Sequence, residues 1–304
     1  MLKINFSDFW SDFNKEDNLF INLLRQKYDV IISNKPDILI YSVYSKFFYK
    51  YNCIRILFTA ENVRPNFREC DFSISFDHDT YNGKNYRFPL FLFTPPRYYQ
   101  RNFDASDAFK AKNKFCSFIV SNSNCRERND FFELLSKYKK VDSGGKYKNN
   151  LGYIVKDKSE LLVNYKFNVA FENEIYPGYT TEKIIQPIMN NCIPIYWGNP
   201  KISEDFNPQS FINVLDYHSF EEVIEWVKEL DNNDELYKKM LSEPFLYENT
   251  IPEKFTYNGL LDFLDSIIEN IGVVKPVATL TQKLNYYFQI NKNLALQKIK
   301  CQSR

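Results

Sequence analysis

Short apolar runs alternate with helix-like patterns through most of this 304-residue chain. Several runs are apolar on both faces, which is typical of parallel strands that lie buried inside a sheet. The predicted strands form two series: MLKINF (1–6), YDVIIS (28–33), DILIYSV (37–43), RILFT (55–59), DFSISF (71–76) and FPLFL (88–92), then FCSFIV (115–120), KFNVAF (166–171), IPIYW (193–197) and FINVLD (211–216). Two successive β/α series predict an α/β fold of two Rossmann-like domains that face one cleft.

Helix signals lie between these strands. Ser219 and Glu222 form an S-x-x-E capping box, and a buried stripe follows at Phe220, Val223, Ile224, Val227 and Leu230. Further helices are expected from about Arg128 to Tyr138, near Thr181, and over 233–242 and 254–270. The polar stretch 101–114 is the best candidate for a boundary. We therefore predict one domain over 1–110, a second over 111–272 and a tail over 273–304.

The tail has its own charge character. From Lys275 onwards it has six basic and no acidic residues, although the whole chain carries a net charge of only +1. A helix there would carry Leu280, Leu284, Tyr287 and Leu294 on one side. Such a helix either packs on the body of the protein or rests as a basic amphipathic segment on an anionic membrane. The sequence leaves both alternatives open.

Cysteine and histidine usage argues against a zinc site and a disulfide framework. The six cysteines have no C-x-x-C spacing, and only two histidines exist. Scattered thiols are typical of a reduced compartment, so we expect a cytoplasmic protein. The chain starts without a signal-peptide pattern, and no window reaches the roughly 20 apolar residues of a membrane span. A near-neutral charge also argues against nucleic acid as a partner.

Glycine is scarce, and its placement marks the loops that approach a ligand. Five of the eight glycines lie between Gly144 and Gly198. The densest segment, FENEIYPGYTTEK (171–183), follows an apolar strand and opens a helix. A helix N-terminus at the carboxyl end of a strand favours a phosphate, and Lys183 adds a positive charge there. The chain has neither G-x-x-x-x-G-K-[ST] nor G-x-G-x-x-G, which argues against P-loop hydrolases and simple dinucleotide enzymes.

The stretch 171–200, FENEIYPGYTTEKIIQPIMNNCIPIYWGNP, resembles the signature of the α-1,3/4-fucosyltransferase family, and its bacterial branch in particular. Five shorter blocks agree in the same order: TAENVRPNF (59–67), DFSISFD (71–77), FCSFIVSN (115–122), RNDFFELLSKYKKVDSGG (128–145) and DFNPQSFINV (205–214). The resemblance implies a GT-B fold, GDP-fucose as the donor substrate, no required metal or cofactor, and inversion at C1. It also implies that 1–110 is the acceptor side and 111–272 the GDP-sugar side.

The resemblance implies a role for five donor-side residues. Arg128 and Lys183 match the contacts to the diphosphate, and Glu182 matches the acid that holds the ribose hydroxyls. Asn173 and Tyr179 match positions that contact the donor. Each residue also has a structural alternative, such as core filling for Tyr179. Arg126 is a plausible second basic group, but nothing in the sequence singles it out.

The resemblance implies that the general base is Glu61, in the motif AENVRPNF. A glutamate in water is a weak base and burial strengthens it, so we expect Glu61 to be partly buried. Glu172, beside Asn173, is the second choice. Glu174 and the helix-interior Pro187 depart from the family pattern, so a GDP-sugar other than GDP-fucose stays an alternative.

Other functions stay open at this stage. A metal-dependent GT-A transferase would use a D-x-D motif, which the tripeptide Asp77-His78-Asp79 spells. A transferase for another GDP-deoxysugar, or a non-catalytic relative that binds sugar nucleotides, are further alternatives. For the main hypothesis, the family implies an N-acetyllactosamine-type oligosaccharide or glycolipid acceptor that attacks through O3 or O4 of GlcNAc. The sequence does not select the linkage.

Overall fold

A computed structural model describes residues 1–279, 281–284, 286–288 and 290 of the chain. The elements in chain order are β1 (Leu2–Ser7), α1 (Leu19–Leu24), β2 (Val30–Ile32), β3 (Ile38–Tyr41), β4 (Ile54–Phe58), β5 (Phe72–Ser75), β6 (Asn85–Arg87), α2 (Ala105–Lys110), β7 (Lys114–Phe118), α3 (Arg126–Tyr138), β8 (Val141–Ser143), α4 (Lys158–Leu162), β9 (Tyr165–Phe171), α5 (Glu182–Met189), β10 (Ile193–Trp197), β11 (Ile212–Asn213), α6 (Phe220–Asn232), α7 (Asp234–Ser242) and α8 (Asn258–Glu269). They divide into two compact units, the first built from Met1–Phe88 and the described residues from Tyr257 onwards, the second from Pro89–Thr256.

The first unit contains a six-stranded parallel sheet in the order β2-β1-β3-β4-β5-β6. Every residue of the two central strands, β3 and β4, is buried. Strands of this kind read as continuous apolar runs because both faces of the sheet are covered. Parallel pairing also places the ends of β1, β3 and β4 at one edge, where three loops leave the sheet.

The second unit contains a five-stranded parallel sheet in the order β11-β10-β9-β7-β8. Its core joins the sheet to α3, α6 and α7 through Phe131, Val223 and Leu241 among others. The predicted capping box is confirmed, because Ser219 accepts a hydrogen bond from the Glu222 amide. Glu222 reaches back to the amide of His218, one residue earlier than expected. Of the predicted stripe, all members except Phe220 are fully buried.

The predicted strand FPLFL is wrong. Leu90–Phe93 form a 3₁₀ turn, and the neighbouring strand β6 is the more polar segment Asn85–Arg87. Pro89 begins the turn, and a proline offers no amide to a strand ladder. The stretch 101–114 is also more than a linker, since Asp104 caps helix α2 within it. A prediction based on apolar runs alone is therefore wrong in this region.

Helix α8 groups with the first unit, although the predicted limits assigned it to the second. Phe263 contacts the rings of Phe72 and Tyr86, with centroids 6.2 and 5.5 Å away. Lys27 forms an ion pair with Asp265. The first unit is therefore built from both ends of the chain, and its limits differ from the predicted 1–110, 111–272 and 273–304.

The predicted tail helix lies partly outside the described residues, since Leu280 and Leu294 are not among them. Residues 281–284 and 286–288 are helical, and Leu284, Tyr287 and Phe288 are exposed. The proposed contact of this tail with a membrane stays a prediction. Among the described helices, none has the length and apolarity that crossing a bilayer requires.

Candidate active site

A cavity of about 330 Å³ lies in the second unit, where β7 and β9 end. The segment after β7 contributes Asn122, and the segment after β9 contributes Asn173. Three basic side chains line the same cavity: Arg128 from α3, Lys158 from α4 and Lys183 from α5. Ligands of parallel α/β sheets bind at this edge. The cavity therefore has the position and the charge of an anion site.

Arg128 is the most unusual of the three basic residues, because only 1% of it is exposed. Its guanidinium donates to the carbonyls of Asn122 (2.7 Å) and Phe171 (3.3 Å) and to the side chain of Asn173 (3.1 Å), and its Nε has no partner. Burial lowers the pKa of Arg128. No carboxylate forms an ion pair with it in the described part of the chain. A buried guanidinium without an ion-pair partner is costly unless it meets an anion.

Lys183 is held in place by a fully buried carboxylate. Its Nζ donates to Glu172 Oε2 at 2.8 Å and to Thr181 Oγ1 at 3.1 Å. Burial by itself lowers the pKa of Lys183, but the carboxylates of Glu172 and Glu182 outweigh it and the net pKa is raised. Lys183 is therefore firmly cationic. An ammonium has three donors, so one remains for a ligand in the cavity.

Glu172 organises the start of α5. It accepts hydrogen bonds from the amide and hydroxyl of Thr181, besides the ion pair with Lys183. Thr181 in turn caps the helix by accepting from the Lys183 amide. Glu172 is fully buried, and both of its carboxylate oxygens already accept hydrogen bonds. Such a carboxylate suits a supporting residue better than a general base. The second-choice base therefore lies where its carboxylate holds Thr181 and Lys183 at the start of α5.

The loop that precedes α5 is pinned by a second buried residue, Asn199. Its side chain accepts from the Gly178 amide (2.7 Å) and donates to Thr180 Oγ1 (3.0 Å). Gly178 has a φ of +86°, a left-handed conformation that glycine adopts without strain. Together with Glu172, this contact fixes the loop between β9 and α5. The glycine at position 178 is therefore explained by backbone geometry.

The remaining predicted donor residues lie in three different environments. Asn173 lines the cavity beside Arg128. Glu182 is half-buried in the first turn of α5, close enough to act electrostatically on both Lys158 and Lys183. Tyr179 is 2% exposed, and it is not among the residues that line the cavity. The structure thus brings Arg128, Asn173 and Lys183 together, with Glu182 at their side.

The sequence analysis missed Lys158, the third basic residue of the cavity. Its Nζ donates to Gln186 on α5 at 2.8 Å. Burial lowers the pKa of Lys158, and the neighbouring Lys183 acts in the same direction, whereas Glu182 opposes both. A five-residue helix in a charged stretch, KDKSE, carries little periodic signal. Only the approach of α4 to α5 reveals that this lysine faces the cavity.

Glu61 belongs to the first unit, in the loop after β4. It has intermediate exposure, which agrees with the expected partial burial. Its Oε1 accepts a hydrogen bond from the Tyr44 hydroxyl at 3.0 Å. The backbone is fixed as well, since the Thr59 hydroxyl donates to the Glu61 carbonyl at 2.7 Å.

The D-x-D spelling at Asp77 has a structural explanation. The Asp77 carboxylate is paired with Arg64 (3.2 Å) and accepts from the Tyr81 hydroxyl (3.0 Å). Arg64 also lies over the Phe76 ring. Both carboxylate oxygens of Asp77 are therefore engaged within the protein. No cluster of histidine, cysteine or acidic residues suited to a metal ion occurs among the described residues.

Two domain families match the chain. The family described as "Alpha-(1,3)-fucosyltransferase FucT N-terminal domain" matches residues 4–94, and "Glycosyltransferase family 10 (fucosyltransferase) C-term" matches residues 109–249. The second match contains the cavity and its three basic residues. The first contains Glu61.

Individual relatives agree. The chain is 33% identical to the Alpha-(1,3)-fucosyltransferase FucT of Helicobacter pylori, over 88% of this chain and 66% of that protein. It is 33% identical to the 4-galactosyl-N-acetylglucosaminide 3-alpha-L-fucosyltransferase 9 of Homo sapiens, over 42% of this chain and 36% of that protein. The chain thus spans at most two thirds of these relatives' length.

A solved structure described as an alpha1,3-fucosyltransferase with GDP-fucose superposes with a TM-score of 0.74, at 30% identity over 88% of this chain and 90% of that one. The two parallel sheets and this superposition confirm the GT-B fold class that the resemblance implied. On these matches, the chain belongs to the fucosyltransferases of glycosyltransferase family 10.

Proposed function

We propose that the chain transfers L-fucose from GDP-β-L-fucose to a hydroxyl of a glycan acceptor, with inversion at C1. The observation that carries this proposal is Arg128, a guanidinium that is 1% exposed, lines the cavity and has no carboxylate partner among the described residues. The diphosphate of a GDP-sugar is the kind of anion that compensates such a charge, and arginine binds phosphate through two parallel hydrogen bonds.

Two lysines complete the proposed diphosphate site. Lys183 supplies a fixed charge, because Glu172 and Thr181 hold its Nζ. Lys158 supplies a third charge from the opposite element, α4. When the bond between C1 and the β-phosphate oxygen breaks, negative charge accumulates on the departing GDP. Cations already in place stabilise that charge without reorganisation.

The other donor-side residues are assigned by the resemblance. We assign Glu182 to the ribose hydroxyls, since a carboxylate accepts two hydrogen bonds well. Asn173 already accepts a hydrogen bond from Arg128, so it is suited to hold the guanidinium against the donor. For Tyr179, its burial favours support of the loop over direct contact.

Glu61 is the proposed general base. The acceptor oxygen attacks C1 of fucose on the face opposite GDP, its proton passes to the Glu61 carboxylate, and the C1–oxygen bond to the β-phosphate breaks in the same step. A displacement of this kind inverts the anomeric centre. No metal is assigned a role in this step. The proposal therefore includes transfer that is insensitive to EDTA.

The acceptor is proposed from relatives alone. The human relative's name describes transfer to the 3-position of a 4-galactosyl-N-acetylglucosaminide. We propose a GlcNAc-type acceptor of the N-acetyllactosamine class, as an oligosaccharide or glycolipid, that attacks through O3 or O4. A cytoplasmic location of the reaction is part of the same proposal.

The test is an acceptor array with labelled GDP-fucose, run with and without EDTA. We expect label on N-acetyllactosamine-type glycans and equal rates in both conditions. Lys183→Ala should weaken GDP binding and slow transfer, whereas Glu61→Gln should abolish transfer while GDP still binds. GDP binding without turnover on any acceptor, and without slow GDP-fucose hydrolysis, would instead indicate a non-catalytic relative. Turnover of another GDP-deoxysugar in preference to GDP-fucose would contradict the proposed donor.

A further inference from the structure

Three loops of the first unit meet at one edge of its sheet. Trp10 follows β1, Tyr44 follows β3 and Glu61 follows β4, and these three strands are neighbours in the order β1-β3-β4. Parallel strands end at the same edge, so the three side chains come together although 51 positions separate the first from the last. None of the sequence motifs discussed above includes Trp10 or Tyr44.

Tyr44 holds the Glu61 carboxylate directly. Its hydroxyl donates to Glu61 Oε1 at 3.0 Å. Within the described residues this is the one side-chain hydrogen bond of that carboxylate, which forms no ion pair there. The charged residue that follows on the same loop, Arg64, is engaged with Asp77 at 3.2 Å. The orientation of the Glu61 carboxylate therefore depends on a single donor.

The Tyr44 ring is itself held from behind. Trp10 contacts it edge to face, with centroids 6.3 Å apart and planes at 85°. Trp10 packs in turn on Phe9, whose ring is parallel to that of Phe58 within 9°. Phe58 is the last residue of β4, three positions before Glu61. The series of contacts from Glu61 through Tyr44, Trp10 and Phe9 therefore leads back to Phe58, on the segment that carries Glu61.

We propose that Tyr44 is a positioning residue of the transfer reaction, which orients the Glu61 carboxylate through its hydroxyl and is itself fixed by Trp10. The inference rests on the proposed role of Glu61 as general base. With Oε1 engaged by Tyr44, Oε2 is the oxygen that takes the acceptor proton. Tyr44 keeps its own proton throughout, so it stays a donor before and after the transfer.

Glu61 needs an orienting contact because its side chain is partly exposed. A half-exposed glutamate can turn about its side-chain bonds, and a general base must lie within hydrogen-bond reach of the proton it takes. A hydroxyl donor on one carboxylate oxygen restricts that motion. The carboxylate gains a fixed orientation from this one contact. A core-filling tyrosine would not provide it.

Tyr44→Phe removes the hydroxyl and keeps the ring on Trp10. We expect kcat to fall by about tenfold, as for the loss of one hydrogen bond to a charged group, with the KM for GDP-fucose unchanged. Steady-state kinetics at varied GDP-fucose concentration measure kcat and KM separately.

Tyr49→Phe is the matched control. The Tyr49 hydroxyl donates to Glu69 Oε1 at 2.6 Å in the same unit, so this variant removes the same kind of bond from a carboxylate with no proposed role. Its kcat and its KM for GDP-fucose should match those of the unmodified protein. Trp10→Leu, checked by thermal melting for intact folding, should reproduce the Tyr44→Phe effects in weaker form.

The outcomes separate this inference from the proposed function. An inactive Glu61→Gln together with an unchanged kcat for Tyr44→Phe would overturn the positioning role and leave the base in place. A lower kcat accompanied by a raised KM for GDP-fucose would equally overturn it, since a structural role alone predicts the loss of both. Full activity of Glu61→Gln would refute the base itself.

Discussion

The Nζ of Lys183 lies 2.8 Å from Oε2 of Glu172, and Glu172 has no solvent exposure at all. The two residues stand at opposite ends of the loop that joins β9 to α5. Because the carboxylate is also bound to Thr181, one buried group fixes both the backbone and the cation of the loop. The charge on the cavity wall is therefore held in place before any ligand arrives.

Removal of the Glu172 charge should weaken the contacts that hold Thr181 and Lys183 in place. We expect Glu172→Gln to lower stability by about 3 kcal/mol, because the partly buried Lys183 then loses the fully buried counter-charge that holds it, and to weaken GDP binding. Thermal melting and calorimetric titration with GDP measure the two effects. Glu225→Gln is the control, since Glu225 is paired with Lys228 at 2.7 Å on the surface, and such pairs contribute at most about 1 kcal/mol. Equal effects of both variants would contradict the prediction.

Gly198→Ala should disturb the same carboxylate from the other side. A Cβ at this position would lie 2.5 Å from Glu172 Cγ and 2.8 Å from its Cβ, so the glutamate has to move. We expect a loss of about 1–3 kcal/mol, as for other overpacked sites, with weaker GDP binding. Gly259→Ala serves for comparison, because its Cβ would meet only the outer end of Tyr86, in the first unit. GDP affinity that survives Gly198→Ala unaltered would argue against the coupling.

Arg128→Lys tests whether the fork of the guanidinium is needed or only its charge. Lysine keeps the charge but offers a single point donor, so GDP affinity should fall by about tenfold or more. Arg126→Ala is the paired variant on the same helix. Arg126 is 89% exposed and bound to Asp130 on the surface, and its removal should leave GDP affinity within about twofold. A similar loss in both variants would point to general charge rather than a specific site.

Because of Lys158, GDP affinity should change with pH in the alkaline range. Burial and the neighbouring Lys183 lower the pKa of Lys158, so this lysine loses its proton earlier than an ordinary lysine as pH rises. Affinity that depends on its charge is present below that lowered pKa and lost above it. We expect GDP affinity to fall as pH rises through the lowered pKa of Lys158, and Lys158→Met to flatten that dependence from a weaker starting value. Lys156→Met, at an exposed lysine outside the cavity, should leave the whole curve unchanged.

The sequence predicted those parts of the fold that local pattern determines. Helix α6 was predicted from its cap and stripe, and α5 from the segment after a strand, because both signals lie within a few residues. The run at 88–92 was misjudged because Pro89 matters more than apolarity there. For α8, its partners Phe72 and Tyr86 lie some 180 positions away in the chain. Local pattern contains no information about that contact.

Likewise, some residues of the candidate site can be predicted from local sequence and others cannot. Arg128, Asn173 and Lys183 came from a recognisable motif, and the structure brings them together around one cavity. Lys158 has no motif, and its place on the cavity wall follows only from the approach of α4 to α5. Tyr44 is similar, because its contact with Glu61 depends on the order of strands in the sheet. Residues that act through tertiary neighbours leave no local signature.

The first unit is interrupted in the chain: its sheet is complete by β6, but α8 follows only after the whole second unit. On the ribosome, Pro89–Thr256 therefore emerge as one uninterrupted stretch before Asn258–Glu269 have been translated. During that interval α8 does not yet cover Phe72 and Tyr86, the two aromatic residues that Phe263 contacts in the folded protein. The second unit can therefore complete its fold during synthesis before the first unit, which carries Glu61, receives its last helix.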